Sequence, residues 1–102
     1  MLILKPNCEL CDRDLAADST EAMICSYECT FCQNCVAAVL ENVCPNCGGG
    51  FSSRPIRPKT DRRPGVSLRH TPSSLDRVQT RYSEADIKKF VSAIKKIPPE
   101  KR

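Results

Sequence analysis

The stretch CSYECTFCQNC, Cys25–Cys35, places four cysteines within eleven residues, separated by three, two and two others. Outward from it, the chain reads Cys8-x2-Cys11-x13-Cys25-x3-Cys29-x2-Cys32-x2-Cys35-x8-Cys44-x2-Cys47. These are four close pairs. Two intervening residues are about what lets both sulfurs of a pair turn towards one ion, and four pairs make two tetrahedral sites of four thiolates each. Zinc accepts four thiolates without imposing a geometry of its own, so two Zn2+ ions are the expected cofactors. Iron–sulfur ligation of the bacterial ferredoxin type needs a three-residue gap before its Cys-Pro. Here eight residues precede Cys44-Pro45.

Disulfides are the competing use for clustered cysteines, and they belong to oxidising compartments. The opening residues MLILKPNC offer only four apolar residues before Lys5 and Pro6, which is no signal peptide. No apolar run approaches the roughly 20 residues that cross a bilayer. The expectation is a soluble, cytoplasmic protein with no membrane partner.

All eight cysteines fall in residues 1–51, a unit too small to rest comfortably on a hydrophobic core alone and in need of a metal staple. EAMICSYE, from Glu21 to Glu28, reads as a short strand and turn, with LAADST before it as the loop of a hairpin. CVAAVLENV puts Val36, Val39, Leu40 and Val43 at helical spacing, one apolar face of about two turns. Cys32 and Cys35 sit at the start of that helix, where free N–H groups favour thiolates. A knuckle at Cys8 and Cys11, a hairpin, and a helix start supplying the last two ligands describe a small zinc-stabilised α+β treble clef. Site 1 is then Cys8, Cys11, Cys32 and Cys35, and site 2 is Cys25, Cys29, Cys44 and Cys47. The two interleave as a cross-brace. The sequential alternative puts Cys8, Cys11, Cys25 and Cys29 on one ion and the other four on the second.

Charge divides the chain in the same place. Residues 1–51 hold seven acidic side chains and two basic ones, whereas 52–102 hold fourteen basic and five acidic. Residues 52–82 are rich in Pro, Arg and Ser with little to bury, which predicts a linker of extended or disordered character. Arg54, Arg57, Lys59, Arg62 and Arg63 are its candidate phosphate contacts. His70, the single histidine, reads as solvated, as do Asp12, Asp14 and Asp18. Residues 83–98 predict an amphipathic helix with Ser83 as N-cap, Asp86 three residues on, and Pro98-Pro99 as the stop. Ile87, Phe90, Val91, Ile94 and Ile97 form its apolar face, a candidate partner face or a route to self-association. Residues 99–102 are a tail.

The order of pairs and the CPNC of the last one resemble the RING finger family, whose members recruit ubiquitin-conjugating enzymes through apolar residues beside the first and last knuckles. Leu10 occupies one such place. The usual fourth-ligand histidine is Cys29 here, and Gly48 stands where a Lys or Arg usually follows the last cysteine. A closer resemblance, over LKPNCELCDRDL, EAMICSYECTFCQNC, CPNCGGG and RPIRP, is to a family of short, mostly bacterial, cysteine-rich proteins of uncharacterised function. It implies a zinc-binding fold and a bacterial source, and no established activity.

Eight thiolates on two ions leave no open coordination position, and no paired general acid and base accompanies them. The expectation is therefore not an enzyme but a zinc-binding interaction module with a protein partner. The alternative is a nucleic-acid accessory protein using the basic half, although few aromatics there could stack on bases. Ligase-like activity is a third reading.

Overall fold

The computed structural model describes residues 1–102. Ala22–Ile24 (β1) and Thr30–Cys32 (β2) pair antiparallel, with Ala22 opposite Cys32, Met23 opposite Phe31 and Ile24 opposite Thr30. The turn between them is closed by Cys25 N–H donating to Cys29 O and Glu28 N–H to Cys25 O, with Glu28 in the left-handed region. Phe31 is fully buried and meets Phe51 edge-on, centroids 5.4 Å apart. Such aromatic pairs add to plain area burial, which suits a unit this short of large side chains.

A third strand, Ser52–Ser53 (β3), pairs antiparallel with the other edge of β1, so the order is β2-β1-β3. This corrects the placing of LAADST. The hairpin loop is Cys25–Cys29, and LAADST leads into β1 with Leu15 buried. Upstream there is only one bridge, Asn7 to Asp14, closing the first knuckle.

Helix α1, Gln33–Cys35, starts where β2 ends and widens into a π turn, Val36–Leu40. Glu41 and Asn42, both at positive φ, stop it. A π turn repeats at i+5, which rotates Val39 away from the face shared by Val36 and Leu40. Val39 is accordingly 43% exposed, while Val36, Leu40 and Val43 are buried.

Helix α2, Glu84–Ile94, has the expected cap: Ser83 Oγ accepts the Asp86 N–H at 3.2 Å. Ile87 and Val91, each 2% exposed, join the same core cluster as the cysteines, with Ile94 packed against it. Phe90 and Ile97 remain partly exposed. The apolar face thus docks on its own chain, against the π turn and the last knuckle. Gly48 lies under it at φ +82°, where a β-carbon would stand 3.5 Å from Phe90 and 3.6 Å from Ile94. Those distances are ordinary van der Waals contact, so it is the left-handed backbone that strains a side chain there.

Residues 54–82 carry no regular structure, yet they are not a free linker. Ser74 N–H donates to Leu4 O, Val78 exchanges hydrogen bonds with the Asn7 side-chain amide, and Thr80 N–H donates to Glu9 O. His70 Nε2 lies 3.0 Å from Asp61 Oδ2, and Ser67 Oγ donates to the same carboxylate, so His70 is paired rather than simply solvated. Beyond α2, Pro99–Lys101 form a 3-10 turn, and Arg102 donates to Asn42 O and Gly48 O. No helix is long and apolar enough to cross a membrane.

Two candidate phosphate contacts have other work. Arg54, 4% exposed, donates to Lys5 O at 2.8 Å and Ala16 O at 3.0 Å. Burial pulls its pKa down from the ordinary arginine value. Arg57 donates to Thr71 O and Leu2 O. Lys59, Arg62 and Arg63 stay exposed. Arg54→Ala is expected to destabilise the fold by about 2–3 kcal/mol, because two charge-assisted bonds from a buried guanidinium to part-buried carbonyls are lost. Urea unfolding checks this; an unchanged midpoint would mean that Arg54 is dispensable to the fold.

Candidate metal centre

The end of β2 and the first turn of α1 put Cys32 and Cys35 beside the first knuckle. There the sulfurs of Cys8, Cys11, Cys32 and Cys35 all lie within 4.8 Å of one another. Cys8, Cys32 and Cys35 are buried and Cys11 is exposed. Cys32 is the N-cap of α1, its sulfur accepting the Cys35 N–H at 3.4 Å. Burial works to raise its pKa, but that N–H and the thiols of Cys35, Cys11 and Cys8 outweigh it, and the net shift is downward. Cys8 and Cys35 are pushed up, chiefly by burial.

A second group is made by Cys25, at the start of the hairpin turn, with Cys44 and Cys47 of the last knuckle, again within 4.8 Å. Backbone N–H groups face two of these sulfurs: Tyr27 N–H donates to Cys25 at 3.3 Å and Gly49 N–H to Cys47 at 3.4 Å. Burial pushes Cys44 far up. Cys29, the fourth expected ligand, is buried at the other end of the same turn but outside that 4.8 Å compass. Its pKa is raised first by burial and then by the neighbouring Cys25 thiol, against the lowering effect of the Asn46 amide.

The donor sets fit a thiophilic metal ion. All eight cysteines are free thiols, and Cys11 and Cys32 stand 3.9 Å apart, far beyond the roughly 2 Å of a disulfide. Zinc at about 2.3 Å from each sulfur of a tetrahedron spaces the sulfurs about 3.8 Å apart. The members of the two groups alternate along the chain, Cys8 and Cys11, then Cys25, then Cys32 and Cys35, then Cys44 and Cys47, so an ion in either would join segments that the other does not.

Three supporting side chains escape a reading of spacings. Glu9, 3% exposed, lies inside the first knuckle and accepts from Lys5 Nζ, the Thr30 N–H and the Asn46 amide. It thereby ties the first knuckle to β2 and to the last knuckle; its place between Cys8 and Leu10 was the available signal. Asn46, in CPNC, also takes the Thr80 hydroxyl. Arg77 reaches Asp12 Oδ1 at 3.0 Å and Asp14 Oδ1 at 2.6 Å, so those two acids are paired rather than free loop charges. The carboxylates of Asp14 and Asp12 hold the Arg77 guanidinium above its ordinary value. Leu10, half-buried, packs against the core, and with Cys11 and Cys35 it lines an open cavity of about 430 Å³ to which Thr80, Tyr82 and Glu84 also contribute.

No solved structure matches the chain. An uncharacterised protein of Rhizobium meliloti (strain 1021) is 51% identical over 78 residues, covering 76% of this chain and 86% of that relative. Residues 1–57, which hold every cysteine, match the model of a family described as "Protein of unknown function (DUF1272)", and with 51% identity to the rhizobial protein besides, the chain belongs to that family.

Proposed function

We propose that the protein is a non-catalytic module in which two zinc ions, each held by four thiolates in cross-brace order, fix a surface that another protein reads. One observation carries this: the eight thiols gather as Cys8, Cys11, Cys32 and Cys35, and as Cys25, Cys44 and Cys47 with Cys29 alongside. Cys29 completes the second set in this reading, through a small movement of the hairpin turn. Bound zinc supplies the positive charge that lets buried thiols ionise, and four protein ligands leave no position for substrate.

The proposed reading surface is a groove of about 450 Å³ between the last knuckle and α2, walled by Pro45, Tyr82, Phe90 and Ala93, with Asp86 and Lys89 at its edge. Against a ligase-like role stand Cys29 in the place of the usual histidine and Gly48 where a Lys or Arg usually follows the last cysteine. Against phosphate binding stand the carbonyl contacts of Arg54 and Arg57.

Native mass spectrometry of the purified chain is expected to show two zinc ions. One ion per chain, or coloured protein containing iron, would overturn the reading. In a gel-shift series, DNA and RNA are expected not to bind even at low salt. A shift that weakens steeply with added salt is the signature of phosphate contacts and would favour the nucleic-acid role instead.

A further inference from the structure

Glu9 is the only carboxylate that the fold buries, and burying a charge is costly unless it is paired and hydrogen-bonded. Charge alone does not account for its place. Zinc with four thiolates carries net negative charge, and the Cys29 thiol, pushed up chiefly by burial and then by Cys25, is pushed further by the nearby Glu9 carboxylate. A carboxylate kept there for its charge would oppose metal binding. What Glu9 contributes is contacts.

Those contacts reach three segments that carry cysteines of the two groups. Glu9 directly follows Cys8 of the first group. Its Oε2 accepts the Thr30 N–H at 2.5 Å, and its own N–H donates to Thr30 O at 2.9 Å. Thr30, fully buried, stands between Cys32 of the first group and Cys29, the proposed fourth member of the second. Glu9 Oε1 accepts the Asn46 amide at 3.4 Å. Asn46 lies between Cys44 and Cys47, and its side chain also bonds the Cys29 sulfur. Lys5 Nζ, 3.1 Å from Oε2, balances the charge. One side chain thus joins the first knuckle to the strand shared by both groups and to the last knuckle.

We infer that Glu9 is a positioning residue that couples the two cysteine groups, so that metal bound in either one favours metal in the other. The inference rests on the zinc reading above. With Cys8 and Cys11 drawn onto one ion, the first knuckle is fixed and the Glu9 side chain with it. Glu9 then holds Thr30 and Asn46 in the places that Cys29, Cys44 and Cys47 need. In the other direction, closing the second group fixes Asn46 and the end of the hairpin turn, which seats Glu9 and hence the first knuckle. Coupling between two sites is reciprocal by thermodynamic necessity.

The test titrates the full, reduced, metal-free chain with Zn2+ and counts chains holding no ion, one or two by native mass spectrometry. In wild type, chains with one ion are expected to stay scarce throughout. In Glu9→Ala they become abundant at half-saturation, the coupling factor falling about fivefold or more, the low end of typical values. Glu9→Gln removes the charge and one acceptor oxygen while keeping the shape, and is expected to fall between the two. The exposed control Arg13→Ala, which loses its ion pair with Glu21, should match wild type. One-ion chains equally abundant in wild type and Glu9→Ala would overturn the inference. So would a Glu9→Ala chain that needs more Zn2+ at both steps yet keeps one-ion chains scarce, since that marks a general loss of stability. Tighter loading in Glu9→Gln would overturn it as well, by showing that the carboxylate acts through its charge. Should Glu9→Ala not fold, Glu9→Gln carries the same comparison with wild type. Wild-type protein that takes up no zinc, or a single ion at saturation, would remove the zinc reading itself, a failure distinguishable because it appears before any variant is made.

Discussion

Cys32→Ala is expected to empty the first cysteine group and melt most of the cysteine unit, the largest effect of any single substitution considered. Cys32 has three tasks at one position. It ends β2, it caps α1 through the Cys35 N–H, and its sulfur stands 3.9 Å from that of Cys11. Structural zinc contributes about 10–16 kcal/mol in isolated zinc-binding peptides, comparable with the entire 5–15 kcal/mol stability of an ordinary domain. Losing one ligand of four, if it removes even a third of the metal's contribution, leaves a unit of this size close to unfolding. Cobalt-substituted protein reports the outcome through its thiolate-dependent absorption, and native mass spectrometry counts the ions. Cys8→Ala should remove the same ion as Cys32→Ala, while Cys25→Ala and Cys44→Ala should remove the other. Should Cys8→Ala disturb the ion bound by Cys25 instead, the sequential arrangement is correct and the interleaved one is not.

Val91→Asp is expected to detach α2 while leaving both metals bound. Val91 is buried with Ile87 against the rest of the core, and an unpaired carboxylate there costs several kcal/mol. The less costly response is for the helix to leave, forfeiting the burial of Ile87, Val91 and part of Ile94 at about 1.5–3 kcal/mol for each fully buried side chain. An isolated helix shorter than about 12–15 residues is marginal in water, so α2 should melt as it leaves. Hydrogen exchange at residues 84–94 should approach random-coil rates, with the amides of β1 and β2 still protected. Protection that survives at 84–94 contradicts the docking role of Val91; loss of protection at β1 and β2 as well would make helix and cysteine unit one cooperative body.

What the sequence discloses follows from which interactions leave a local mark. Cysteine pairs do, because a two-residue gap is a geometric condition on the sulfurs themselves, and seven of the eight fall into groups that the spacing anticipates. Cys29 is the exception, and its longer C-x3-C gap is the one departure among the pairs. The apolar period of Ile87, Val91 and Ile94 also leaves a mark, as does the Ser83 cap. β3 leaves none: Ser52–Ser53 shows no apolar alternation, and its pairing is continued by Arg54 N–H donating to Ala22 O. Arg54 and Arg57 mislead for the same reason. Their acceptors lie 14 to 55 residues away in sequence, and no reading of a Pro- and Arg-rich stretch supplies a distant carbonyl. The docking of residues 74–80 on the first knuckle is hidden likewise, since Asn7 and Val78 are 71 positions apart.

The interleaving of the cysteine groups sets a timetable for biosynthesis. The first group lacks a member until Cys35 has been made, and the second until Cys47. At about 5–20 residues per second, roughly half a second to two and a half seconds separate the two events. During that interval a nascent chain can hold one ion, while Cys25 and Cys29 wait as reduced thiols for partners not yet translated. The segment carrying Arg77 and α2 is translated later still. The first group can therefore close on an ion before the chain that supplies Arg77 and α2 has been made.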